Sequence, residues 1–222
     1  MKREIIITQD GSTSIFLPEL NESYHSKFGA IQEAHHVFIK NGMDLFQSND
    51  TIHVLEIGFG TGLNAFITFL EANKRKQKIH YDGVEAYPVS ITDAKQMNYV
   101  NELKATEFEA IFDSIHSTQW EQKVELTPFF SLTKRKQYFQ ELTDKEKFHL
   151  IYFDAFGFEV QPELWDETIF KIMFDALLPN GVLVTYACRT SIRKAMLSVG
   201  FSVEKLPGAP GKREMLRAIK NK

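Results

Sequence analysis

One cysteine, Cys188, occurs in 222 residues, so no disulfide can form within the chain, and no Cys/His group has the spacing of a metal site. That scarcity fits a reducing compartment. No apolar run reaches the ~18 residues of a membrane span, and the opening MKREIIITQDGSTS lacks the apolar stretch of a secretory signal. The cytoplasm is the expected location. Repeats, low-complexity segments and an internal linker are also missing, so the length suits one domain with a modest appendage. Apolar residues at 43% and charged residues at 25% are ordinary globular values, which sets disorder aside.

Phenylalanine is abundant, with 19 copies, enough to build a core and still line a pocket. Charge is unevenly spread. The formal net charge is −3, but the stretch from Arg189 to Lys222 holds nine Lys/Arg against Glu204 and Glu214. That is +7 in the tail and −10 in the rest, an asymmetry found in nucleic-acid faces and also in plain solvated surfaces.

The chain alternates strand-like and helix-like stretches. EIIITQDGSTSIFLP reads as a hairpin turning at Asp10-Gly11, and Ala30, Val37 and Phe38 follow at roughly helical spacing. TIHVLEI predicts a buried strand, Leu63 to Asn73 a helix, and IHYDGVEAY a second strand ending near Glu85. Residues 88 to 116 read as helical, VELTPFF as a third strand, and FHLIYFDAF as a fourth. PELWDETIFKIMFDALL reads as a helix starting near Pro162. GVLVTYA is a fifth strand opened by the turn Pro179-Asn180-Gly181, and Ser191 to Val199 a helix. FSVEKLP and EMLRAIK are two consecutive strands joined by GAPGKR. Alternation of this kind predicts a doubly wound parallel sheet. The closing pair of strands adds the antiparallel strand that distinguishes the class I methyltransferase fold. The expectation is an α/β, Rossmann-like, mostly parallel seven-stranded sheet with one antiparallel strand. A single domain over 1–222 divides into an amino-terminal hairpin and helical extension (1–50) and a core (51–222).

The glycines of HVLEIGFGTGLNAF carry the chemistry. Gly58, Gly60 and Gly62 give G-x-G-x-G between a strand and a helix, where bare backbone can meet a ligand. A dinucleotide fingerprint places a third glycine where Leu63 stands, which argues against NAD. With Glu56 two residues ahead, the loop resembles motif I of S-adenosylmethionine enzymes. A carboxylate there suits a cationic ligand and repels a phosphate. Glu85, ending the second strand, can accept both ribose hydroxyls of either nucleoside cofactor. Thr61, within the loop, joins the expected cofactor-binding set.

Asp154 ends the fourth strand in the crevice where such sheets bind ligands. An alkyl amine acceptor has a pKa near ~10.4, so only about one molecule in 10³ is neutral at pH 7, a deficit of roughly 4 kcal/mol. Asp154 is the expected acceptor of the departing proton, help typically worth ~10²–10⁴-fold. Phe156 and Phe158 either wall the pocket or belong to the core.

Five stretches resemble one family over most of the chain. They are YHSKFGAIQEAHHVFI, EIGFGTGLNAF, FDAFGFEVQPELW, LLPNGVLVTYA and PGKREML. The family is the methyltransferase domain of bacterial tRNA 5-methylaminomethyl-2-thiouridine biosynthesis enzymes (MnmC/MnmD type). The resemblance implies N-methylation of the aminomethyl group of 5-aminomethyl-2-thiouridine at the tRNA wobble position. S-adenosylmethionine would be held by Glu56, Gly58, Gly60, Gly62, Asn64 and Glu85, with Asp154 catalytic. It also implies that Tyr24, Gly29 and Glu33 shape the pocket, and that Lys212 and Arg213 meet anticodon phosphates at its mouth. The implied partners are the tRNA anticodon stem-loop and a separate enzyme supplying the aminomethyl form, since the chain ends before the flavin oxidase of longer members. No metal and no membrane are implied, and the chain is expected to be a monomer. The sequence departs from the family after Asp154-Ala155-Phe156, reading Gly157-Phe158-Glu159-Val160-Gln161-Pro162, and it has no acid after the third strand in LTPFFSLTKRK.

Rival readings are an NAD-dependent oxidoreductase, a small-molecule amine methyltransferase or aminopropyl transferase on the same fold, and a non-catalytic RNA-binding module.

Overall fold

The short apolar runs between glycines and turns become strands. The computed structural model describes residues 2–47 and 49–221; Met1, Ser48 and Lys222, the last counted in the basic tail, lie outside the described residues. Strands β1 (Glu4–Ile7) and β2 (Thr13–Leu17) pair antiparallel, and β3 (Glu22–Ser23) adds to β2 as a third strand. Asp10 closes the β1–β2 turn by accepting from the Ser12 amide at 3.1 Å and the Thr8 hydroxyl at 2.8 Å. Helix α1 (Ala30–Ala34) runs directly into a π-helical stretch, His35–Lys40.

The core then alternates: β4 (Ile52–Ile57), α2 (Leu63–Arg75), β5 (Ile79–Val84), α3 (Ile91–Ala94), α4 (Tyr99–Glu102), α5 (Glu109–Ser117), β6 (Lys123–Thr127), β7 (Phe130–Arg135), β8 (Phe148–Phe153), α6 (Glu167–Ala176), β9 (Leu177–Thr185), α7 (Thr190–Ser198), β10 (Phe201–Pro207) and β11 (Glu214–Lys220). These strands form one sheet in the order β10-β11-β9-β8-β4-β5-β7-β6. The pairs β9–β8–β4–β5–β7 are parallel, and β11 runs antiparallel to both of its neighbours. Strands β4, β5 and β8 are buried at five of six positions, the pattern of parallel strands covered on both faces.

One face packs under α2, whose Phe66 and Phe69 are fully buried and stack 6.1 Å apart. Truncating either ring to alanine would cost about 3–5 kcal/mol. Ile15 and Leu17 of β2 join this same apolar cluster, so the amino-terminal sheet is welded to the larger one. The opposite face packs Phe153, Trp165 and Phe170 under α6.

The expected class is what is seen, with four local corrections. The sheet has eight strands among the described residues, because VELTPFF is a hairpin in which Pro128 and Phe129 separate β6 from an antiparallel β7. Residues 88 to 116 are three short helices and a 3-10 turn rather than one helix, interrupted where Lys104 takes φ +51°. A 3-10 turn, Pro162–Trp165, precedes α6, whose true cap is Asp166 accepting from Ile169 N–H at 3.0 Å. Pro179-Asn180-Gly181 lies inside β9 as an irregularity rather than opening it. Among the described residues no helix is long and apolar enough to cross a membrane.

Candidate active site

At the carboxyl end of β4 the chain leaves the sheet through the glycine loop. Gly58 and Phe59 N–H both donate to Val84 O at 3.0 Å, fixing the loop to the end of β5. Gly58 has φ +87°, and a Cβ there would lie 2.5 Å from Asp154 O, so only glycine lets these two strand ends meet. Gly60 turns its bare face toward the Tyr24 ring. Gly62 starts α2 at φ +73° against His116, beside the cavity lining. Glu85 accepts from Gly60 N–H at 3.0 Å through Oε2 and from Tyr87 N–H at 2.9 Å through Oε1.

These groups form one wall of an open cavity of about 1060 Å³. Thr61 lies on the same wall, its hydroxyl accepting from Tyr99 at 2.9 Å. The rest of the lining includes Tyr24, Glu33, Phe156, Tyr186 and Lys212, with Asp154 on the floor. Tyr24 meets Phe156 edge to face at 5.2 Å. The volume admits a nucleoside-sized cofactor with a second ring beside it.

Asn64, in the first turn of α2, joins two carboxyls by donating to Glu56 Oε1 at 2.9 Å and to Asp154 Oδ2 at 2.8 Å. Glu56 is fully buried behind Asn64, so its carboxyl meets the cavity through the Asn64 amide. Burial drives its carboxyl well above the usual range, the Asp154 charge adds to this, and the Asn64 amide opposes it. The buried Tyr81 hydroxyl beside it also opposes the rise. Asp154, half-buried on the cavity floor, is pushed up to about 7, first by desolvation and then by the Glu33 charge, against Asn64 and Lys212. A carboxyl there half-ionises at neutral pH and is a far better base than an exposed aspartate.

The remaining expected residues divide. Glu33 is on the wall: it accepts from Ser26 N–H at 3.1 Å and pairs with Lys212. Gly29 is not; at φ +144°, a Cβ would lie 2.7 Å from Asp10 Oδ2, so it joins the hairpin turn to α1. Lys212 is not free for phosphate, since its ammonium is held by Glu33 and sits 3.8 Å over the Tyr186 ring. Arg213 is exposed beside an adjoining shallow pocket that Phe158 also lines, and the Arg189 guanidinium covers the Phe158 ring at 4.6 Å. Much of the basic tail is similarly engaged: Arg189 with Glu159, Lys205 with Glu214, Arg217 with Glu204 and Lys220 with Glu146. Tyr186 escaped the sequence reading, although its place just after β9, at a carboxyl strand end, marked it as a crevice residue.

A bare glycine loop, an acid closing the next strand and a helix start whose Asn64 bridges two strand-end carboxyls define a Rossmann-like enzyme of the nucleoside-cofactor type. Residues 95–221 match the model of a family described as S-adenosyl-L-methionine-dependent methyltransferase, and the chain belongs to that family. It is similar to the tRNA 5-methylaminomethyl-2-thiouridine biosynthesis bifunctional protein MnmC of Delftia acidovorans, at 29% identity over 92% of this chain and 33% of that protein. Its counterpart in Paracidovorax citrulli is 30% identical over 91% of this chain and 33% of that protein. The chain spans about a third of the length of these relatives. Among solved structures, MNMC2 from Aquifex aeolicus superimposes with a TM-score of 0.77 at 23% identity, over 98% of this chain and 70% of that one. Spermidine synthase from Thermotoga maritima shares the fold more loosely, with a TM-score of 0.52 at 14% identity over 98% of this chain and 72% of that one.

The wall fits S-adenosylmethionine. Each Glu85 oxygen uses one lone pair on backbone and keeps another for a ribose hydroxyl. The start of α2, where a dinucleotide's pyrophosphate would lie, is occupied by Asn64 bound to two carboxyls, and Leu63 is buried in the third-glycine position. A carboxylate at this position, that of Asp154, disfavours a pyrophosphate and suits a cationic group.

Proposed function

We propose that this methyltransferase transfers a methyl group to the amine of 5-aminomethyl-2-thiouridine at the tRNA wobble position, acting in the cytoplasm as one unit over residues 1–222. The observation that carries the reading is Asp154, a carboxyl pushed up to about 7 on the floor of the cavity, between the cofactor wall and an acceptor wall rich in aromatic rings. The relatives that the chain resembles bear names that specify this modified uridine.

S-adenosylmethionine supplies an electrophilic methyl group on a sulfonium. Gly58, Gly60, Thr61, Asn64 and Glu85 hold it, with Glu56 bracing Asn64 from behind. Asp154 takes the amine's proton, and Asn64 fixes the carboxylate through Oδ2 so that Oδ1 faces the acceptor. Tyr24, Phe156 and Tyr186 present ring faces and edges to the uracil and keep water from the nitrogen.

The test is mass analysis of nucleosides after incubating the protein with S-adenosylmethionine and tRNA from a strain lacking this methylation. Conversion of 5-aminomethyl-2-thiouridine to its methylamino form is expected. Methylation of free polyamines instead, with tRNA untouched, would establish the small-molecule rival.

A further inference from the structure

The acceptor wall already holds a primary ammonium, that of Lys212. Two groups define its seat. Glu33, only 8% exposed, pairs with it directly and is itself fixed by Ser26 N–H at 3.1 Å. The Tyr186 face lies 3.8 Å below it, and the Tyr186 hydroxyl is tied to Ala155 O at 2.8 Å, next to Asp154. A carboxylate and a ring face around one ammonium make a selective seat for an organic cation.

The loop joining β10 to β11 is anchored independently: His36 Nε2 bonds Pro207 O at 2.8 Å, and Gly211 packs on the Phe28 ring. Lys212 therefore occupies the seat as a side chain at the end of four rotatable methylenes, on a loop that other contacts hold.

We propose that Lys212 is a place-holder for the acceptor: its ammonium fills, in the acceptor-free protein, the subsite that Glu33 and Tyr186 form for a primary ammonium one carbon from an aromatic ring. The acceptor enters by exchange, its own ammonium taking the seat as the lysine swings out. Glu33 is the specificity-determining residue, because an uncharged hydroxymethyl or methyl group cannot replace the lysine without leaving Glu33 buried and unpaired. Asp154 then removes the proton from a nitrogen that Glu33 has recognised as charged. This deepens the proposed function and rests on its reading of the acceptor as a cationic amine.

The test uses benzylammonium against benzyl alcohol, titrated by NMR into protein saturated with S-adenosylhomocysteine. Wild type should prefer the ammonium. Lys212→Met should bind benzylammonium about tenfold more tightly, because an internal competitor is gone. Glu33→Gln should lose the preference, binding both probes equally. Lys212→Gln serves as a second variant if methionine disturbs the loop, and unchanged S-adenosylhomocysteine affinity certifies the fold. Weaker or unchanged benzylammonium binding in both Lys212 variants, or a retained preference in Glu33→Gln, overturns the proposal. Methylation of tRNA by a wild type without ammonium preference removes the subsite and leaves the proposed function standing. An ammonium preference without tRNA methylation does the reverse.

Discussion

Replacing Asp154 by asparagine separates proton removal from everything else the site does. The amide keeps the size of the carboxyl and can still accept from Asn64, which donates to Oδ2 at 2.8 Å, so the cavity floor keeps its shape. What goes is a base whose pKa is about 7. An acceptor amine near ~10.4 is neutral in only about one molecule in 10³ at pH 7, a deficit of roughly 4 kcal/mol. A positioned base recovers part of that, typically ~10²–10⁴-fold, and this is the expected loss in the single-turnover rate at pH 7. The sign with pH follows from the direction of the shift. The Asp154 carboxyl is raised, so its basic form is populated above about 7 and lost below it; the wild-type rate should bend near that pH. In Asp154→Asn the bend should vanish and the rate should climb tenfold per pH unit, tracking the free amine, so that mutant and wild type converge at high pH. S-adenosylhomocysteine affinity should hold within a few fold. A wild-type rate at pH 7 in the mutant, or a bend near 7 that persists, refutes the role.

Gly60→Val should abolish S-adenosylhomocysteine binding by calorimetry, since φ is +49° and the first added carbon already meets the Tyr24 ring at 3.1 Å; normal binding would make the loop merely structural. The fold should lose about 1–3 kcal/mol from the strained backbone, read by urea unfolding. Acid should also weaken the fold through His25 and His116, both pushed down to about 4, chiefly by burial. Their folded pKa lies below the unfolded 6.5, so the stability they contribute is complete above about 6.5 and lost as pH falls toward 4, at most about 3 kcal/mol each. Urea midpoints should drop over that window, and His25→Gln should flatten the drop; a midpoint that does not move between pH 7 and 4.5 counts against it. Arg193, Lys194 and Arg213 are the tail cations without an ion-pair partner among the described residues. Changing the three to alanine should lower the salt slope of tRNA binding by about two to three units, and an unchanged slope would place the phosphate contacts elsewhere.

The legible parts of this molecule were those with local causes. A six-residue apolar run such as IHVLEI can only be a covered strand, and three glycines after it can only be a turn with exposed backbone. The misread stretches were governed by distant partners. Residues 88 to 116 carry helix-forming side chains, yet Asn98 breaks the run by binding Thr13 of the amino-terminal hairpin, accepting from its amide at 2.8 Å. The position of Glu56 at a strand end was visible, and the Asn64 side chain in front of it was not. The pairing of Glu33 with Lys212 leaves no trace in spacing, since it joins α1 to the loop after β10, near opposite ends of the chain.

The two walls of the cavity differ in how the chain supplies them. Gly58, Gly60, Thr61, Asn64 and Glu85 come from a single βαβ unit, β4 through β5. Tyr24, Glu33, Asp154, Tyr186 and Lys212 come from four separate segments that meet only in the finished fold. In evolutionary terms, the first wall is inherited as a block and the second is assembled from parts that can be exchanged one at a time. Drift in acceptor preference therefore needs no change in the cofactor grip, and a lineage can retarget the transfer by single substitutions at Glu33, Tyr186 or Lys212, away from the glycines.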